Sequence, residues 1–132
     1  MENCLFCKFV KGEIPCAKVY ESDKAIAFLD INPINPGHIL VILKKHVDYI
    51  FDLEDKDYKE LFLEAKKVAK AIKFALGPKR VGVAVEGFGV PHAHIHLVPI
   101  NRGYELNPNN AKPMDNKELE KIAEKIRKGF GK

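Results

Sequence analysis

VPHAHIHLVPI, residues 90–100, sets a histidine at every second position: His92, His94 and His96. A strand turns successive side chains to opposite faces, so these imidazoles share one face, neighbours about 7 Å apart, while Ala93, Ile95 and Leu97 share the other. The apolar face belongs on a core, which leaves the imidazole face to a cleft or to solvent. Solvated strand faces usually carry Lys, Glu, Ser or Thr. Three imidazoles point instead to a metal tripod, because histidines two apart on a strand can share an ion. They point equally to nucleophilic and acid–base chemistry on a phosphate.

Working outward, residues 80–86 (RVGVAVE) read as the strand before this one. Upstream, residues 55–76 carry Tyr58, Leu61, Phe62, Ala65, Val68, Ala69, Ile72, Ala75 and Leu76 at helical spacing, with Lys and Glu between them. Gly77-Pro78 stops that helix. Segments 17–21 and 24–30 flank the turn Ser22-Asp23 as a hairpin, and 38–44 (HILVILK) is a compact buried strand after the loop INPINPG. Leu119, Ile122, Ala123, Ile126 and Phe130 mark a C-terminal helix. The expected class is α+β, with a mainly antiparallel five-stranded sheet, one long helix and a C-terminal helix.

The 132 residues suit one domain with a core of its own. Nothing approaches the ~18 apolar residues of a membrane span, and MENCLFCKFVKGEIP does not read as a signal peptide, so a cytoplasmic protein is expected. A net charge of +4, spread over lysines on helix faces, suits anionic ligands but gives no case for nucleic acid. Three cysteines are an odd number, which argues against a disulfide framework. Cys16 reads as a plain thiol. Cys4-x-x-Cys7 is half of a zinc site or a redox pair, and the βαβ setting expected of the redox pair is missing.

GHILVILKKH (37–46) followed by HAHIHLV (92–98) resembles the histidine triad family of nucleotide hydrolases and transferases, whose signature is His-x-His-x-His-x-x with apolar x. The likeness extends over residues 4–46, and so takes in most of the chain as a single histidine triad domain, 1–132. It implies that His94 attacks the α-phosphorus of an adenine nucleotide to give a nucleotidyl-histidine. His96 would face the phosphate oxygens and the leaving group, with His38 as a further phosphate-side imidazole. The resemblance also implies that Asp30 holds the ribose hydroxyls and that Phe6, Phe9, Phe28 and Ile31 sandwich the base. Zinc-binding prokaryotic members imply a structural zinc on Cys4, Cys7, His46 and His92, and family members usually pair as homodimers.

Three departures stand out. Leu43 replaces a proline common in the family, Val85 stands near a usual asparagine, and the Gly-Gln-Ser/Thr type phosphate loop is replaced by the shorter Phe88-Gly89-Val90-Pro91. No loop residue is therefore carried over. The expected substrates are dinucleoside polyphosphates or nucleoside phosphoramidates. The alternatives are a nucleotide-binding or signalling module with little turnover, and a hydrolase using all three triad histidines on a catalytic metal.

Overall fold

A computed structural model of the protein describes residues 3–132. Five strands, β1 (Lys18–Glu21), β2 (Ala25–Leu29), β3 (Ile39–Leu43), β4 (Arg80–Ala84) and β5 (His94–Ile100), form one sheet in the order β1-β2-β3-β5-β4. All four neighbouring pairs are antiparallel. Three helices accompany them: α1 (Leu5–Lys11), α2 (Asp55–Leu76) and α3 (Asn116–Arg127).

Helix α2 takes the bounds that its periodicity predicts. Asp55 and Asp57 sit in its first turn and Lys73 in its last, each favourable to the helix dipole, and Gly77 closes it at φ +66°. Its inner face buries Leu61, Ala65, Val68 and Ile72 against Val41 of β3 and Ala93, Ile95 and Leu97 of the β5 segment. Helix α3 joins the same core through Leu119, Ala123 and Ile126. One buried position breaks the apolar pattern. Glu64, 2% exposed, accepts hydrogen bonds from Tyr20 Oη at 2.5 Å and Ser22 Oγ at 2.8 Å, and so ties α2 to the β1–β2 hairpin.

The sheet's opposite face carries a second cluster, in which Ile26, Phe28, Leu40 and Ile42 meet Cys4, Phe6 and Cys7 of the α1 region. Strands β2 and β3 are thus buried on both faces, which is why their sequences run apolar without alternation. Helix α1 is an element the sequence pattern did not reveal. It has seven residues, too few to display a periodicity, and Cys4 caps it by accepting the Cys7 N–H at 3.4 Å.

All five strands are shorter than expected, and two of the differences have consequences for the site. β5 begins at His94, so His92 lies before the ladder, where the Ala93 N–H donates to the Val47 carbonyl at 2.7 Å. β4 ends at Ala84, and Val85 and Glu86 leave the sheet. Gly37 (φ +99°) turns the chain into β3, and a Cβ there would collide with Leu76 and come within 3.1 Å of Pro99. Among the described residues, no helix is long and apolar enough to cross a membrane.

Candidate active site and metal-ligand cluster

The chain's five histidines fall into two groups around the start of β5. The first group joins α1, the turn after β3 and the approach to β5: the donor atoms of Cys4, Cys7, His46 and His92 all lie within 4.8 Å of one another. Cys7 Sγ is 3.1 Å from His46 Nδ1 and 3.5 Å from His92 Nδ1, and Cys4 Sγ is 3.4 Å from His92 Nδ1. Around a tetrahedral zinc with bonds of about 2.3 Å to sulfur and 2.0 Å to nitrogen, sulfur and nitrogen would stand about 3.5 Å apart.

The tautomer agrees with that fit. The Leu43 carbonyl can only accept, so His92 carries its proton on Nε2, 2.8 Å away, and turns the Nδ1 lone pair to both sulfurs. Burial keeps this imidazole below its ordinary pKa. Burial, then the hydrogen bond and charge of Cys4, push the Cys7 thiol up. A divalent cation reverses the thiol effect, since coordination deprotonates a thiol outright. Two thiolates and two neutral imidazoles make a closed, charge-neutral set for zinc.

The second group is His38, His94 and His96. His94 donates Nδ1–H to the carbonyl of His92 at 2.7 Å, which in the neutral ring leaves the lone pair on Nε2. The ring is 6% exposed and meets the edge or face of Phe6 at 5.1 Å, with an interplanar angle of 87°. Behind it runs a chain of fixed tautomers. The Ile34 N–H donates to His38 Nδ1 at 3.0 Å, so neutral His38 keeps its proton on Nε2. That Nε2–H donates to His96 Nδ1 at 2.9 Å, so neutral His96 carries its own proton on Nε2. Burial lowers the pKa of His38, although Asp30, whose Oδ2 is 3.6 Å from His38 Nε2, opposes the shift. Burial, then His94 and His38, lower His96 to about 4. Near neutral pH the pair is uncharged, and its hydrogen-bond directions are set by a backbone amide. Asp30, His38 and His96 also lie close enough to share an ion, but His38 Nε2 would have to give up its proton and its bond to His96.

A cavity of about 480 Å³ opens beside His94 and His96. Phe6, Phe9 and Phe28 line it and pack on one another with ring centres 5.0–5.8 Å apart. Asp30 stands at its edge, where Oδ1 accepts the Asn32 N–H at 2.8 Å, and Ile31 is on its rim, 64% exposed. Every site residue expected from sequence therefore lies either at this cavity and the imidazoles beside it or in the sulfur–imidazole cluster. Several lining residues were not foreseen, among them Leu5, Cys16, Glu86 and Phe88. Phe88 is 92% exposed, and the signal the sequence offered for it was a phenylalanine set between two glycines, in a segment that builds no core. The Cys16 thiol is pushed up by burial, consistent with an unactivated cysteine.

Comparison with known proteins identifies the fold and the family. A Hit-like protein from Bartonella henselae superposes with a TM-score of 0.88 at 33% identity, covering 98% of each chain. A zinc-bound histidine triad protein from Mycobacterium smegmatis gives 0.84 at 26% identity, over 97% of this chain and 93% of the other. In sequence, the adenosine 5'-monophosphoramidase of Schizosaccharomyces pombe is 37% identical over 132 residues, 94% of this chain and 96% of its own. The family model described as HIT domain matches residues 11–103, and the chain belongs to that family.

Proposed function

We propose that the protein is a hydrolase or nucleotidyl transferase acting at the α-phosphate of adenine nucleotides, through a covalent bond between phosphorus and His94. The observation that carries this reading is the His94 tautomer: Nδ1–H is committed to the His92 carbonyl at 2.7 Å, so Nε2 presents its lone pair. The cavity beside it suits a nucleoside, with aromatic walls for the base and the Asp30 carboxylate for the ribose hydroxyls. His96, held by His38, offers Nε2–H to the phosphate without adding charge. Attack by neutral His94 forms the N–P bond and expels the leaving group. Water then attacks the same phosphorus, releases the nucleoside monophosphate and restores the free imidazole. The monophosphoramidase of Schizosaccharomyces pombe lends support through its name and its near full-length match.

The reading includes a structural zinc on Cys4, Cys7, His46 and His92, supported by the donor set and by the zinc-bound Mycobacterium smegmatis relative. Zinc would supply a tie between α1 and the approach to β5, and no step of the chemistry. It also includes a homodimer through the β4 edge and α2, where Val83 and Phe74 are 53% and 62% exposed.

Rapid acid-free quenching during turnover of adenosine phosphoramidate should trap an adenylyl group on His94. The His94→Ala variant should form no adduct and lose about 10⁴-fold or more in rate, as removal of a nucleophile commonly does. Tight nucleotide binding with no turnover would favour a binding module. Undiminished turnover in the variant would sink the role of His94.

A further inference from the structure

Beyond His96 lies a second cavity of about 220 Å³, less than half the volume of the nucleoside cavity. Asp30, Asn32, Glu86 and His96 line both, so the two chambers meet at the proposed site of reaction. The second chamber's remaining walls are mostly apolar: Ile34, Ala84, Leu106, Pro108 and Ala111, with His38 the exception. Among the described residues its carboxylates are Asp30 and Glu86, and no lysine or arginine lines either chamber. Asp30 is engaged with the Asn32 amide and lies 3.6 Å from His38. Glu86 is exposed and free to act on whatever enters, because β4 ends two residues before it.

We propose that this second chamber is the leaving-group subsite, and that Glu86 makes it selective for amines bearing a short apolar substituent and against polyphosphates. The proposal rests on the nucleotidyl-transfer reading above. In-line displacement sends the leaving group away from His94, and the second chamber is lined by His96 but not by His94. As the His94 Nε2–P bond forms, the P–N bond of a phosphoramidate breaks and its electron pair stays on nitrogen. That nitrogen is protonated from solvent before the bond breaks, so it carries positive charge near the Glu86 carboxylate in the transition state and leaves as a neutral amine once the electron pair has returned to it. Breaking a P–O bond to a polyphosphate gathers negative charge at the same place. The carboxylate therefore acts with opposite sign on the two reactions. A second nucleoside, as in a dinucleoside polyphosphate, would also find less than half the room that the first one has.

The test measures kcat/KM for adenosine N-butylphosphoramidate and for diadenosine tetraphosphate in the wild type, Glu86→Gln and Glu86→Lys. The wild type should prefer the phosphoramidate, and Glu86→Lys should move the ratio at least tenfold toward the tetraphosphate, with Glu86→Gln between. The residue is exposed, so both variants should fold, and a circular dichroism spectrum checks that they do. Turnover with an unchanged ratio overturns the role of Glu86, and a wild-type preference for the tetraphosphate overturns the subsite. Absence of turnover on both substrates, with no adduct on His94, would instead overturn the reading of the reaction and this proposal with it.

Discussion

Removing metal from the sulfur–imidazole cluster should cost stability far more than chemistry. The cluster links Cys4 to His92 across 88 positions of chain, with Cys7 and His46 as intermediate anchors. A cross-link closing a loop of about 90 residues restricts the unfolded chain by about 4–5 kcal/mol. Binding of metal to the unfolded Cys-x-x-Cys pair reduces this, so about 4 kcal/mol is expected. For a chain of this size that corresponds to a fall in Tm of roughly 15 °C. The assay is thermal denaturation of zinc-loaded protein, of protein stripped with EDTA to a verified metal content below a tenth, and of His46→Ala. Kinetics on the stripped protein at 15 °C complete it. The kcat should stay within about tenfold, because His92 is also held by its Nε2–H bond to the Leu43 carbonyl and by the neighbouring Ala93–Val47 backbone bond. The KM should rise, because Phe6 and Phe9 stand on the helix that has lost its tie. An unchanged Tm after verified removal would refute the structural role. Loss of kcat with Tm unchanged would indicate a catalytic metal instead.

Two further outcomes follow from buried polar groups. His96 titrates at about 4 in the fold against an ordinary 6.5, so the unfolded chain binds its proton first as pH falls. Its contribution is complete above pH 6.5 and is lost between 6.5 and 4, a fall of about 3 kcal/mol from this group. Urea midpoints of metal-free protein at pH 7 and pH 4.5 should show the loss, and His96→Asn should lessen it. Tyr20→Phe removes one of the hydroxyls donating to buried Glu64, and equilibrium unfolding should show a cost of about 1–3 kcal/mol. A change below 0.3 kcal/mol would mean that water replaces the phenol.

What the sequence made legible follows from the range of each signal. Helix α2 declares itself through its own residues, by period, dipole charges and the Gly77-Pro78 stop, and needs no knowledge of its neighbours. The faces of β5 are equally local from His94 onward. His92 is different: it precedes the ladder, and its side chain is aimed by Leu43 and two sulfurs distant in sequence. The grouping of Cys4, Cys7, His46 and His92 accordingly came from family resemblance, not from spacing. Glu64 sits on a face that the helical period assigns only in part to the core, and its partners Tyr20 and Ser22 lie 44 and 42 residues away. Nothing local marks such a residue as buried. The second chamber is built from residues 30–38, 84–86, 96 and 106–111, which only the finished sheet brings together.

Helix α1 has a further consequence for how the protein comes into being. Seven residues are far too few for a helix to persist in water, so α1 exists by virtue of what it leans on. Its supports are Phe28, Leu40 and Ile42, then His92 and His94. During synthesis the chain emerges in order, and residues 4–11 must wait, unsupported, while more than eighty others are added. The sheet can close around Ile95 and Leu97 with α2 in the meantime. A wall of the cavity beside His94 is therefore made well before the strand it leans on.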